Sequence, residues 1–212
     1  MKKLLSIAAV LLICMGSQAQ IVSSRSSLVR TEKQPSKTQW FVRAGMNIMD
    51  MTGDDVTEYV KSNIGYNAVF GFARSMGTAG AYWGMDFGLT SRGFKIEYDG
   101  ESAKGIAHAV QVSPFTFGWR INVADQIAID PHIGAFVSCD YTSKLSEDNG
   151  DKYDWDEAFE DYDCFDAGLN VGLSIWYNRF NIDFSYQSGF IEVFPGDDVK
   201  SSNFMIRLGI AF

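Results

Sequence analysis

The chain has 212 residues, of which 46% are hydrophobic and 14% aromatic, and this length indicates one folded domain or at most two small ones. A formal net charge of -8 and a pI near 4.7 argue against a nucleic-acid-binding protein, because such proteins present a basic face. Beyond the extreme N-terminus, no apolar run reaches the ~18–20 residues that a helical membrane span requires.

The N-terminal segment has the composition of a secretory signal peptide. Lys2 and Lys3 precede an apolar core over Leu4–Met15, and small residues follow at the positions that signal peptidase reads. We therefore assign residues 1–19 to a signal peptide. Residues 20–38 are rich in Ser, Arg and Lys without apolar periodicity, and we expect a flexible periplasmic leader there. The folded domain is then predicted over residues 39–212.

Residues 39–212 alternate between apolar and polar side chains with a period of two, which is typical of β-strands. In the fourth segment Pro114 interrupts the pattern and predicts a bulge or a change of face. Eight segments carry the alternation: Trp40–Ile48, Tyr66–Phe72, Ala81–Thr90, Ile106–Phe117, Ile127–Val137, Phe165–Tyr177, Phe180–Tyr186 and Phe204–Phe212.

The composition of the two faces distinguishes a membrane barrel from a soluble barrel or sandwich. A soluble barrel carries many Lys and Glu residues on its outer face, whereas the eight segments contain neither. A charge on a lipid-facing side chain costs about 2–4 kcal/mol at mid-membrane, so the charged residues are assigned to the interior. The predicted fold class is all-β: an eight-stranded antiparallel up-and-down transmembrane β-barrel in the cell outer membrane.

The connections between the segments alternate in length, with long outer loops and short periplasmic turns. Phe94, Ile96 and Tyr98 precede Asp99-Gly100, which predicts that one outer connection is an extended hairpin with a bulge near Arg92-Gly93. The long connections are Asp50–Asn63, Arg92–Lys104, Asp140–Asp163 and Ile191–Ser202. The short connections are Ser75–Gly80, Gly118–Asp125 and Asn178-Arg179.

An eight-stranded barrel has an interior that side chains can fill, so we expect a plugged lumen held by ion pairs, with a proton or ion path as the rival interpretation. Asp130 and His132 share a face and resemble the beginning of an acid–base pair, but no nucleophile is evident within reach. We expect a buried histidine satisfied by hydrogen bonds, and no catalytic, cofactor-binding or metal-binding residue is assigned. The predicted lumen ion network comprises Arg43, Asp86, Asp130, His132, Asp166, Asp183 and Arg207.

The third outer loop, Asp140–Asp163, contains ten acidic residues and two lysines. Its carboxylates offer oxygen ligands for calcium, but the spacing does not fit an EF-hand, and a solvated acidic surface is the favoured interpretation. Cys139 and Cys164 bracket this loop in an exported protein, and they form a candidate disulfide. Alternation places Cys139 on the lipid side and Cys164 on the lumen side, so a bridge requires the regular pleat to end at one of them.

Several motifs resemble the PorT-like outer-membrane β-barrel family, and the resemblance covers residues 39–212. It implies the barrel fold and the outer-membrane location; one branch of the family is tied to a secretion apparatus, and no catalytic motif accompanies it. The terminal Phe212 is similar to the C-terminal signal that the outer-membrane assembly machinery reads. The motifs are Trp40-Phe41-Val42-Arg43-Ala44-Gly45, Tyr82-Trp83-Gly84-Met85-Asp86, Thr90-Ser91-Arg92-Gly93-Phe94, Phe165-Asp166-Ala167-Gly168-Leu169-Asn170 and Asn203-Phe204-Met205.

These observations favour a non-enzymatic outer-membrane barrel that acts through its extracellular loops or as part of an envelope assembly. Two alternatives stay open: a component of a protein-secretion apparatus, as in the PorT branch, and a small lipid-modifying outer-membrane enzyme. The expected partners are outer-membrane lipids, the assembly machinery during biogenesis, and extracellular or envelope proteins. Nucleic acid is not expected, and no cofactor is assigned.

Overall fold

The computed structural model describes residues 38–54, 56–76, 80–99, 101–147, 152–155, 162–194 and 198–212. The predicted signal peptide and the predicted leader up to residue 37 lie outside these ranges. The strands are β1 (Thr38–Thr52), β2 (Val60–Lys61), β3 (Asn63–Ser75), β4 (Ala81–Tyr98), β5 (Glu101–Trp119), β6 (Ile121–Ala124), β7 (Ile127–Glu147), β8 (Lys152–Asp154), β9 (Phe165–Tyr177), β10 (Phe180–Glu192) and β11 (Lys200–Ala211).

Eight long antiparallel strands close into a ring, which confirms the predicted barrel. The hydrogen-bonded order is β4-β3-β1-β11-β10-β9-β7-β5, and β5 pairs with β4 to complete the circle. At the seam, β1 and β11 pair from Phe41 opposite Ala211 to Thr52 opposite Lys200. The short strands β2, β6 and β8 extend the ring at β4 and β7. Among the described residues, no helix is long and apolar enough to cross a membrane.

The period-two alternation separates the lipid-facing surface from the lumen. On β10, Phe180 and Ile182 are 61% and 43% exposed, whereas Asn181, Asp183 and Ser185 are buried. The same alternation places large apolar side chains outside on the other long strands. The barrel therefore buries its polar residues and exposes its apolar ones, as expected for a protein solvated by lipid.

Much of the length predicted as outer loop is strand. β4 runs to Tyr98 and β5 begins at Glu101, which confirms the extended hairpin predicted for connection 92–104; it turns at Asp99, whose φ is 49°. β7 likewise continues to Glu147. The barrel strands thus extend beyond the lipid-facing band at the end that the sequence analysis assigns to the extracellular side.

The predicted bulge at Pro114 is confirmed, and the one near Arg92-Gly93 is wrong. The register shifts across Pro114 in both pairings of β5, whereas β4 and β5 pair without interruption from Asp86 to Tyr98. On β4 the apolar side chains face outward up to Leu89 and inward from Phe94 onward, although the strand pairing continues without a break. The reason is the surroundings of the strand. Above the lipid band the outer face meets water, and the inner face becomes the apolar one.

The apolar inner face at the extracellular end forms a cluster that we call the cap, comprising Met51, Phe94, Ala107, Trp155 and Val193. Trp155 is 1% exposed, and its ring centroid lies 5.5 Å from that of Phe94. A second buried apolar cluster lies at the opposite, periplasmic end and comprises Phe41, Val69, Ala73, Tyr82, Ala128, Trp176 and Ala211. The interior of the barrel therefore has a polar middle layer between two apolar clusters, of which the cap is the outer one.

Candidate functional site

Asp183 is the most heavily contacted carboxylate of the lumen. It lies on β10 at 0% exposure, and Ser174 Oγ and Ser185 Oγ each donate a hydrogen bond of 2.7 Å to it. Arg207 Nε on β11 donates to the same carboxylate at 2.8 Å, and Arg43 Nη1 on β1 lies 3.6 Å away. Two guanidinium groups thus share one buried carboxylate.

Asp130 on β7 is the anchor of a second polar group near the periplasmic end. Its carboxylate accepts hydrogen bonds of 2.9 Å from the Tyr82 hydroxyl and from the Trp176 indole. Arg120 Nη2 lies 3.6 Å from Asp130, and the Arg120 guanidinium stacks 3.9 Å above the Trp176 ring. The sequence prediction omitted Arg120 because the residue belongs to a predicted periplasmic turn, where strand alternation gives no information about direction.

Asp130 and His132 do not form an acid–base pair. His132 Nδ1 lies 3.2 Å from the backbone carbonyl of Asp130, while the Asp130 carboxylate bonds to other side chains. His132 Nε2 lies 3.4 Å from both Asp183 and Ser185 Oγ. One ring nitrogen therefore faces both the carboxylate and the hydroxyl, so the imidazole cannot relay a proton from the serine to the aspartate as a catalytic triad requires.

A third ion group lies below the cap and contains two residues that the sequence analysis did not assign to the lumen. Arg92 Nε on β4 donates to Asp140 at 2.8 Å, and Arg92 Nη1 lies 3.2 Å from Asp166. Asp140 was predicted to begin the outer loop. It has the same parity as Asp130 and His132 on β7, so regular alternation carries it inward, where the Tyr162 hydroxyl donates to it. Burial and the Asp140 charge raise the pKa of Tyr162 above its ordinary value.

The remaining predicted network residue, Asp86 on β4, also faces the lumen. It is 9% exposed and interacts electrostatically with Arg207 and Arg43. The structure therefore places all seven predicted network residues in the interior, distributed over three groups: the Asp183 group, the Asp130 group toward the periplasm, and the Asp166 group below the cap.

Cys139 and Cys164 lie side by side at the outer rim. Their Sγ atoms are 3.5 Å apart without a covalent bond, and both residues are exposed. Cys164 precedes the first residue of β9, so the regular pleat ends there, as a bridge would require. The hydrogen bond with Cys139 and partial burial raise the pKa of the Cys164 thiol. The disulfide stays a prediction.

The acidic loop is described only at 140–147, 152–155 and 162–163, so its predicted calcium chemistry falls largely outside the described residues. Within the described part of the chain, no group of three or more His, Cys, Asp or Glu side chains is arranged to hold a metal ion.

Comparisons with known proteins give one family match and several solved structures. Residues 18–195 match the family model described as outer membrane protein beta-barrel domain. Ail, the attachment invasion locus protein of Yersinia pestis, is 19% identical, with a TM-score of 0.44 over 83% of this chain and 99% of that chain. Neisserial surface protein A is 12% identical, with a TM-score of 0.47 over 82% and 97%. OprG from Pseudomonas aeruginosa is 9% identical, with a TM-score of 0.40 over 85% and 99%. No curated protein matches the chain.

Proposed function

Because the chain belongs to the outer membrane protein beta-barrel domain family, we propose that it is a non-enzymatic barrel with a plugged interior. The protein resides in the cell outer membrane. We further propose that it acts through its extracellular loops or as part of an envelope assembly, after removal of the signal peptide over residues 1–19. N-terminal sequencing of the mature protein tests that boundary.

The observation that carries the plugged interior is that the polar layer and the cap each fill the inside of the ring. The two arginines on Asp183 and the Arg120–Asp130 contact span the lumen with charged side chains that hold each other in place. The cap then fills the extracellular end with apolar side chains. A hydrated ion would need to displace both layers, and the paired charges inside a narrow barrel oppose that.

Conductance across planar bilayers tests the plug. We expect the purified protein to give no steady single-channel openings in 1 M KCl at about 100 mV, a potential worth roughly 2.3 kcal/mol per elementary charge. An open general porin measured in the same bilayers shows that the assay detects a conducting barrel. Large, steady openings of the unaltered protein would refute the plugged model.

The position of His132 supports a non-enzymatic role. Its ring nitrogens contact buried groups of the lumen, where a lipid substrate does not reach. If the protein modified lipids, the His132→Gln variant would lose that activity while keeping the fold. We expect instead that lipid profiles of cells carrying His132→Gln match those of cells carrying the unaltered protein, and that both match the deletion strain. A deletion-specific loss of one modified lipid would favour the enzyme.

The PorT-like motifs over residues 39–212 support a narrower proposal, that the envelope assembly is a secretion apparatus. Deletion of the protein should then leave secreted cargo in the periplasm, and expression of the barrel in trans should restore export. Normal export in the deletion strain would refute the secretion proposal, and the proposal that the protein acts through its extracellular loops would stand.

A further inference from the structure

Four lysines from four different strands stand in one row across the barrel wall. The antiparallel registers pair Lys61 of β2 with Lys95 of β4, and Lys95 with Lys104 of β5. Lys104 pairs with Ser146 of β7, and Ser146 pairs with Lys152 of β8. At about 4.8 Å between strands, the row spans roughly 19 Å. Residues 38–212 contain six lysines in total, so this row holds most of them.

The row lies on the outer face of the strand extensions. Val60, Ile96 and Leu145 pack against the cap on the inner face. Their sequence neighbours Lys61 and Lys95 consequently point the other way, because successive side chains of a strand alternate between faces. Lys61, Lys104 and Lys152 are exposed, and Lys95 is partly so.

Placing like charges directly opposite each other on paired strands is unfavourable, and here it happens twice in succession. Glu97 pairs with Lys95, and the Lys61 ammonium donates to the backbone carbonyl of Glu58 at 2.9 Å. One row below, Asp154 pairs with Lys144 across β7 and β8. In a chain of net charge -8, such a concentration of cations indicates an anionic partner.

The height of the row relative to the membrane identifies the kind of anion. On the outer face of β5, Val110 is 49% exposed in the lipid-facing band. His108 follows, stacked between the rings of Tyr66 and Tyr141 at centroid distances of 5.4 Å and 6.3 Å, an aromatic layer typical of a membrane interface. Lys104 lies four residues further, about 13 Å along the strand. With strands tilted by about 40°, the row rises obliquely by roughly 12 Å across the headgroup layer.

We propose that this lysine row binds the phosphate groups of the glycolipids in the outer leaflet. A lysine ammonium is a compact point charge that suits a phosphate, and four of them at stepped heights can meet phosphates at different depths of the headgroup layer. The aromatic layer beneath them fixes the depth of the barrel, so the lysines are held at the level of the lipid phosphates rather than in free solution.

Lipid binding to the purified mature protein in detergent tests the proposal. The probe is bisphosphorylated lipid A, compared with the dephosphorylated lipid, and bound lipid is counted by native mass spectrometry. We expect the unaltered protein to favour the bisphosphorylated lipid, and Lys95→Gln/Lys104→Gln to weaken its binding about tenfold, since each cation near an anionic lipid surface contributes measurably. The matched control Arg74→Gln/Arg179→Gln removes two exposed cations elsewhere and should bind like the unaltered protein.

Two results would overturn the proposal. One is equal binding of bisphosphorylated lipid A by the lysine variant and the control variant. The other is full displacement of the lipid by inorganic phosphate at equal concentration, which would assign the row to a soluble anion. The variant Lys95→Gln/Lys104→Gln has to give the compact form on unboiled gels. If it does not, Lys61→Gln/Lys152→Gln at the ends of the row replaces it, and this variant too should bind bisphosphorylated lipid A more weakly than the unaltered protein.

Discussion

Replacing Asp183 by Asn tests whether the lumen is a packed, ion-paired interior. The change removes the carboxylate that Arg207 and Arg43 share and leaves two guanidinium groups buried without it. Removing one partner of a buried ion pair costs about 3–5 kcal/mol, and the doubled contact favours the upper end of that range. Set against the ~5–15 kcal/mol by which proteins are typically stable, this is a large share of the free energy of unfolding.

The free energy of unfolding is measured by urea titration in detergent micelles, followed by the mobility of unboiled samples on gels. Asp198→Asn is the control, because this half-exposed carboxylate pairs with Lys200 at the surface, where solvent screens the pair, and its removal should change the urea midpoint little. The double variant Asp183→Asn/Arg207→Gln should lose less than the sum of the two single variants, because the two groups interact directly. A loss below about 1 kcal/mol for Asp183→Asn would refute the reasoning, since it would mean that water screens the arginines as it does at a surface.

Three further outcomes follow from the packing and the thiol pair. Gly172→Ala should lower the free energy of unfolding by about 1–3 kcal/mol in urea titrations, because its Cβ would lie 2.4 Å from His132 Nε2. Trp155→Ala should increase protease cleavage of the outer connections while the unboiled gel shift persists, since the cap lies beyond the lipid-facing band. After reduction, the raised pKa of Cys164 should delay iodoacetamide labelling to higher pH than an unstructured cysteine peptide requires, and equal rates at pH 8 would contradict the Cys139 contact.

Strand alternation was sufficient to identify the fold and the interior of the barrel. In lipid, a charged side chain can point only inward, so the parity of Asp183 and Arg207 determined their direction without any knowledge of neighbours. The same argument placed Asp86 and Asp130 in the lumen. It depends only on residues within one strand, which is why a single sequence is enough.

Contacts between strands required the register, which the sequence does not contain. Lys61, Lys95, Lys104 and Lys152 are far apart along the chain and become neighbours only through four successive pairings. After Asp140 a register shift changes the parity of β7 so that Leu145 faces the cap, and strand alternation alone does not predict this change. The extension of β4 and β5 was predicted from the Asp99-Gly100 turn, but that of β7 to Glu147 was not. Above the lipid band the outer side of a strand is polar, and the pattern of β7 there resembles a polar loop.

The outward-facing side chains of β10 define the thickness of hydrocarbon that the barrel can cover, and the surrounding bilayer has to match this thickness. From Phe180 to Phe190, both exposed, the column covers about 34 Å along the strand, or about 26 Å normal to the membrane at a tilt near 40°. A thicker bilayer would bring hydrocarbon against polar residues at the rims, and the lipids would have to thin locally at a free-energy cost per ångström of mismatch. The apolar surface of the barrel therefore fits a thin membrane. In long-chain lipids we expect the bilayer around the barrel to thin while the barrel keeps its shape.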